Sequence, residues 1–156
     1  MKIVRIFLTA FARFCISLVF LAGALNKIFH WHESERSLHA ILCEWQSNIG
    51  YIDSAHECFA IFIPITPILL LVATLMELFG ALLVLLGIKE KFGAFLLIAF
   101  LIPVTLIMHQ FWFVEGMMRE QQLAHFFKNL AILGGLLIIM LHGTAASPAT
   151  RQFPRL

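Results

Sequence analysis

Four long apolar stretches divide this chain, and they constrain its fold more than any motif does. They run over about residues 4–29, 61–87, 92–111 and 123–142. A helix that crosses a bilayer needs roughly 17–25 predominantly apolar residues, and each stretch meets that length. The stretches are continuous rather than alternating, so helices are expected and not the strands of a barrel. Composition agrees. Of the 156 residues 61% are hydrophobic, 16 are Phe, and only 13% are charged, against about 25% in soluble domains. A water-soluble domain of this size has too little interior to hide so much apolar side chain. The expected fold is therefore an all-α membrane protein, a single domain built as a four-transmembrane-helix bundle. Pro64 and Pro67 mark an irregular start to the second span, and Pro103 lies inside the third, where it is placed to kink it.

The basic residues supply the orientation. With four spans, Lys2, Arg5, Lys89, Lys91, Arg151 and Arg155 fall on one side, and only Arg36 and Arg119 on the other. The positive-inside rule then puts both termini in the cytoplasm, with residues 143–156 as a cytoplasmic tail. A competing reading of the N-terminus is a cleaved signal peptide, since Lys2 and Arg5 precede an apolar stretch and Ala22-Gly23-Ala24. Arg13 breaks that hydrophobic region in half and favours a retained first helix. Net charge is +2 with no basic run, so nucleic acid is not an expected partner; the lipid bilayer is.

Residues 30–60 form the one sizeable loop, expected on the outer side. Within it Leu38, Ile41, Leu42, Trp45 and Ile49 recur at helical spacing among polar residues. That pattern predicts a short amphipathic helix lying on the membrane surface or capping the bundle. The loop also holds Cys43 and Cys58. Outside the cytoplasm a Cys43–Cys58 disulfide is chemically allowed, although spacing alone does not show that the geometry fits. His39, Cys43, His56 and Cys58 are zinc-ligand types, but their order matches no compact zinc motif, so no metal is expected.

Ionisable groups inside the apolar spans need an explanation, because a charge at the bilayer centre costs roughly 2.5–3.5 kcal/mol on insertion scales. Arg13 in the first span and Glu77 in the second could sit at similar depth. An Arg13–Glu77 ion pair that fixes helix packing is one reading; a buried polar site for a substrate headgroup or a proton is the other. A second polar group gathers near the outer face, with Lys27 and Asn26 ending the first span, His109 ending the third, and His125, Lys128 and Asn129 on one face of the fourth. Interfacial snorkelling accounts for some of these. A cationic, hydrogen-bonding pocket for a quinone carbonyl or a small oxyanion accounts for the set. His109 and His125 are also conceivable as a pair of haem ligands. Gly80, Gly87, Gly134 and Gly135 would let helices approach closely.

At these residues the chain resembles the DoxX family of four-helix membrane proteins. Three segments carry the likeness: Arg13 with Leu18-Val19-Phe20-Leu21-Ala22-Gly23-Ala24-Leu25-Asn26-Lys27, then Glu77-Leu78-Phe79-Gly80 through Gly87, then Phe126-Phe127-Lys128-Asn129 through Gly135. The resemblance implies a bundle in a bacterial inner membrane and carries over Arg13, Lys27, Glu77 and Asn129 as site positions. It implies relatives that serve thiosulfate:quinone oxidoreduction or join oxidative-stress complexes. The long outer loop with its two cysteines departs from the family pattern, and these 156 residues hold no soluble redox module. The function expected is a redox-associated subunit, possible part of a quinone-linked oxidoreductase, that binds a quinone or small anion and works with other redox membrane or periplasmic proteins. The alternatives are a non-catalytic scaffold that docks proteins through its outer loop, and a small-molecule carrier.

Overall fold

The computed structural model describes residues 2–49 and 51–144, with the side chains of Lys2 and residues 53–56 excepted. Six helices follow in order: α1 Lys2–Phe29, α2 Trp31–Ile49, α3 Asp53–Phe62, α4 Thr66–Leu86, α5 Glu90–Met108 and α6 Gly116–His142. Four of them, α1, α4, α5 and α6, are long and apolar enough to cross a membrane. The chain is thus a multi-pass membrane protein. Arg151 and Arg155 lie outside the described residues.

Side-chain polarity is inside out. Phe7, Phe11, Phe14, Ile68, Leu71, Phe79, Phe95 and Ile138 are exposed, while Ser17, Thr66, Thr74, Glu77, Thr105 and Asn129 are buried. In water that arrangement would be costly. In lipid it is the expected one, because hydrocarbon solvates the outer faces and the bundle must satisfy its polar groups internally. On α4 the buried set Thr66, Leu70, Thr74, Glu77, Ala81 and Val84 recurs every three or four residues and forms one stripe. Opposite it, Ala94, Leu97, Ile98 and Leu101 of α5, Phe20 of α1, and Leu136 and Ile139 of α6 complete the core.

The helices pack in chain order, α1 on α4, α4 on α5 and α5 on α6. At the α4–α5 crossing the backbones nearly touch. A Cβ on Gly80 would lie 3.0 Å from the Gly93 carbonyl oxygen, and one on Gly93 would lie 2.9 Å from that of Gly80. Of the other glycines singled out by sequence, Gly134 faces open space and Gly135 meets Ile16 only at an ordinary 3.6 Å; neither makes a close crossing. Gly87 ends α4 instead. Its φ of 68° and the bonds from Gly87 N to Val84 O (3.2 Å) and Ile88 N to Leu83 O (3.1 Å) form a Schellman cap.

The predicted amphipathic helix is present as α2. It is longer than the apolar spacing indicated and follows α1 after the single residue His30. Its Leu42 is buried, and Trp45 Nε1 donates to the Ile107 carbonyl at 2.9 Å. That bond satisfies one of the carbonyls left orphaned at the end of α5. Phe59, Trp112 and Phe113 surround the same indole. Several boundaries differ from the sequence reading. The short helix α3, residues 53–62, takes in the end of the expected loop and the first two residues of the expected second span, α4 starts at Thr66 after the Pro64 turn, α5 ends at Met108 rather than 111, and α6 starts at Gly116, well before residue 123. Arg119, Glu120, Gln121 and Gln122 read as loop because they are polar; they form the part of α6 that leaves the apolar layer.

Candidate functional site

The two buried carboxylates each find a cation, but not in the expected pairing. Glu77 bonds Lys27, with Nζ 2.8 Å from Oε2. Arg13 bonds Glu90, with Nη2 2.7 Å from Oε2. The Arg13–Glu77 pair is therefore not formed, and helix register gives the reason. Gly23 of α1 faces Glu77 of α4, whereas Gly87, just past the end of α4, faces Arg13. Arg13 and Glu77 are thus about ten residues apart along antiparallel helices, or about 15 Å. A similar depth for the two residues would require α1 and α4 to begin and end flush. Instead, α1 overhangs the end of α4 by its first turns, where Ile3, Ile6 and Phe7 are exposed.

Why Lys27 reaches Glu77 follows from side-chain direction. A helical side chain leans toward its own N-terminus. Lys27 leans back along α1 toward Gly23, whose carbonyl lies 3.4 Å from Nζ. Glu77 leans along α4 in the opposite sense and meets it. The ammonium also lies 5.4 Å from the centre of the Phe100 ring. Side-chain exposure is 25% for Lys27 and 5% for Glu77, so the pair is shielded on the Glu77 side and reached from the Lys27 side.

That reachable side is a cavity of about 590 Å³ under α2, lined by residues of α1, α2, α4, α5 and His109. Its walls divide by character. Leu70, Phe100, Val104 and Met108 are apolar; Asn26, Lys27, His30, Glu33, Ser34 and Ser37 bring polar groups, as does His109. His109 Nδ1 lies 2.9 Å from Gln122 Oε1, an acceptor, so the ring carries its proton on Nδ1 and leaves Nε2 as an acceptor. Burial lowers the His109 pKa from its ordinary value, with His125 and Lys128 nearby acting in the same direction and the Gln122 bond opposing them. The pocket therefore offers a cationic donor at Lys27 and a neutral imidazole at His109.

The remaining site candidates lie elsewhere. Asn129 is buried and donates Nδ2 to Thr105 Oγ1 at 3.1 Å, tying α6 to α5 beside a small apolar cavity. Lys128 is exposed and donates to His125 Nδ1 at 3.1 Å. The His109 and His125 rings stack face to face, 5.2 Å between centroids and 15° between planes. Stacked rings do not present their nitrogens to a common metal between them, so the haem-pair geometry is not met. Cys43 and Cys58 are exposed free thiols in this structure. Cys43 Sγ lies 3.7 Å from His39 Nδ1, and the His56 side chain lies outside the described residues.

Sequence reasoning missed Glu90, Thr105, Gln122 and Thr144. Glu90 is flanked by Lys89 and Lys91 and reads as part of a solvated turn. In the fold it is buried, accepts from Arg13, and accepts from both the Thr144 backbone N–H and the Thr144 hydroxyl. Arg13 Nε in turn donates to Thr144 Oγ1. A usable signal was present: Glu90 is the first residue of α5, where an acid complements the helix dipole.

Comparison with known proteins adds the family. No curated protein and no solved structure matches the chain. The DoxX family profile matches residues 8–110, which takes in α1 from residue 8 onward, all of α2 through α5, the Lys27–Glu77 pair and every residue that lines the large cavity. This protein belongs to the DoxX family.

Proposed function

We propose that this chain is a redox-associated subunit of a bacterial inner membrane that binds a quinone, or a small anion of similar hydrogen-bonding character, in the cavity beside Lys27. The observation that carries the reading is an ion pair among the spans whose lysine, and not its carboxylate, lines a cavity with one polar and one apolar wall. An ammonium has three donors. Glu77 and the Gly23 carbonyl engage two of them, and the third can serve a ligand oxygen. A quinone carbonyl would accept from Lys27, and a quinol hydroxyl could donate to His109 Nε2. These residues bind and orient the ligand; the electrons belong to a partner enzyme. The basic residues Arg5, Lys89 and Lys91 near the terminal end of the bundle support cytoplasmic termini, with α2 on the outer face.

Two measurements test this. In the purified protein, Lys27→Met with Glu77→Gln removes both charges together and leaves no lone buried ion. Binding of a quinone analogue should weaken by about 10–100-fold, the worth of a hydrogen bond to a charged group; unchanged affinity would remove Lys27 from the site. Orientation is read from Cys43 and Cys58, which a membrane-impermeant maleimide should label in intact spheroplasts. Labelling only after permeabilisation would invert the topology.

A further inference from the structure

A second cavity, of about 270 Å³, lies against the first. Leu42 of α2, Leu69, Val72 and Met76 of α4, and Ala99 and Pro103 of α5 line it, and no ionisable side chain does. Five residues, Leu38, Ala73, Phe100, Val104 and Met108, line both cavities. Ala73 is the smallest of them and stands on α4 between Leu70, which lines the polar cavity, and Met76, which lines the apolar one. Val72, which lines the apolar cavity, is also exposed on the outside of α4, the side that a bilayer would cover.

From this we infer that the two cavities hold one ligand, a long-chain amphiphile whose oxygen-bearing head lies at Lys27 and whose apolar chain passes Ala73 into the cavity between α4 and α5. The inference rests on the reading of the Lys27 cavity given above and narrows its ligand class. A water-borne anion would use the polar cavity alone and leave the adjoining space without a role. An amphiphile dissolved in the bilayer fills both and can arrive sideways from lipid, without passing α2. The chain gains little by leaving lipid for a cavity of the same polarity. Its contribution is to hold the head at high local concentration beside Lys27. Position of the chain, and not affinity, is therefore the quantity to measure.

The probe is a benzoquinone head on a decyl chain that ends in a photoreactive diazirine, applied to the full chain in detergent, with labelled peptides identified by mass spectrometry. Labelling is expected within residues 69–76 of α4, and an excess of the chainless head should displace it. Ala99→Phe, which fills the apolar cavity from a position outside the polar one, should abolish this labelling while the chainless head binds as in the parent protein. Val72→Phe is the companion variant should Ala99→Phe fail to fold. Labelling at 69–76 that the chainless head cannot displace would overturn the inference, since an unrelated lipid chain then occupies the cavity. So would labelling outside the walls of the apolar cavity, which α2 and α5 also supply, while the head binds normally. Failure of the chainless head to bind at all would sink the quinone reading itself, a separate result.

Discussion

The two ion pairs of this bundle share a chemistry and differ in everything around it. At the terminal end, Arg13 and Glu90 are closed in: Thr144 bonds both partners, and Lys91 reaches across to the Leu141 carbonyl at 3.0 Å. The segment after α6, the start of α5 and the middle of α1 are fastened together there. Farther along α1, Lys27 and Glu77 have, among the described residues, the Gly23 carbonyl and the face of Phe100 for further company, and one flank is open to a cavity. Structural and functional charge in a membrane helix separate by their surroundings. The Arg13–Glu90 pair is closed by a third protein group that bonds both partners, and it holds the fold. The Lys27–Glu77 pair has space beside its cation and can serve a ligand there.

Substitutions sharpen the contrast. Lys27→Leu strands the Glu77 carboxylate and should cost about 3–5 kcal/mol of stability, the usual result of breaking a buried pair. Thermal unfolding in detergent measures it, and the neutral double variant should recover most of the loss. Arg13→Leu should cost less, about 1–3 kcal/mol, because Glu90 keeps the two Thr144 donors. If Arg13→Leu proved the more damaging, the assignment of spare capacity to the Lys27 pair would be wrong. The glycines behind the two pairs give smaller effects. Gly87→Ala forces a side chain into a left-handed residue and against the Arg13 guanidinium, at about 1–2 kcal/mol. Gly23→Ala stays helical, and its Cβ would lie 2.5 Å from Glu77 Oε1 and 3.6 Å from Lys27 Nζ, so the end of the Glu77 side chain must shift; it should change ligand affinity more than the melting temperature. The smallest effect is in pH. His109 resists protonation in the fold, so the unfolded chain takes up the proton first. The stability it contributes is complete above the ordinary histidine value of 6.5 and declines as pH falls below it. His109→Gln should flatten that slope.

Much of this architecture is legible in the residue order. The four spans follow from apolar length, and the surface helix from the spacing of Leu38, Leu42 and Trp45. Lys27 and His109 were legible as candidates because polar groups at the ends of spans require a partner or a task, and the fold brings both to one cavity. Register was not legible. Nothing in the order of residues says that α1 extends past α4, and that offset alone reassigns both ion pairs. Glu90 was hidden for a related reason, since its burial comes from Arg13 and Thr144, which are distant in sequence. Asn129 shows the converse: it was singled out for its place at the start of the fourth span, and the Thr105 hydroxyl that it bonds across to α5 was not legible.

The overhang of α1 has an effect beyond partner choice. Its 28 residues make a rod of about 42 Å, beside about 32 Å for the 21 residues of α4. No single hydrocarbon thickness suits both lengths upright, so the surrounding bilayer must swell on one flank or the longer rod must lean. Each ångström of discrepancy costs a fraction of a kcal/mol. Thick and thin membranes are consequently unequal hosts for this chain, and a thicker one relieves more of the stress around Phe7 and Phe11.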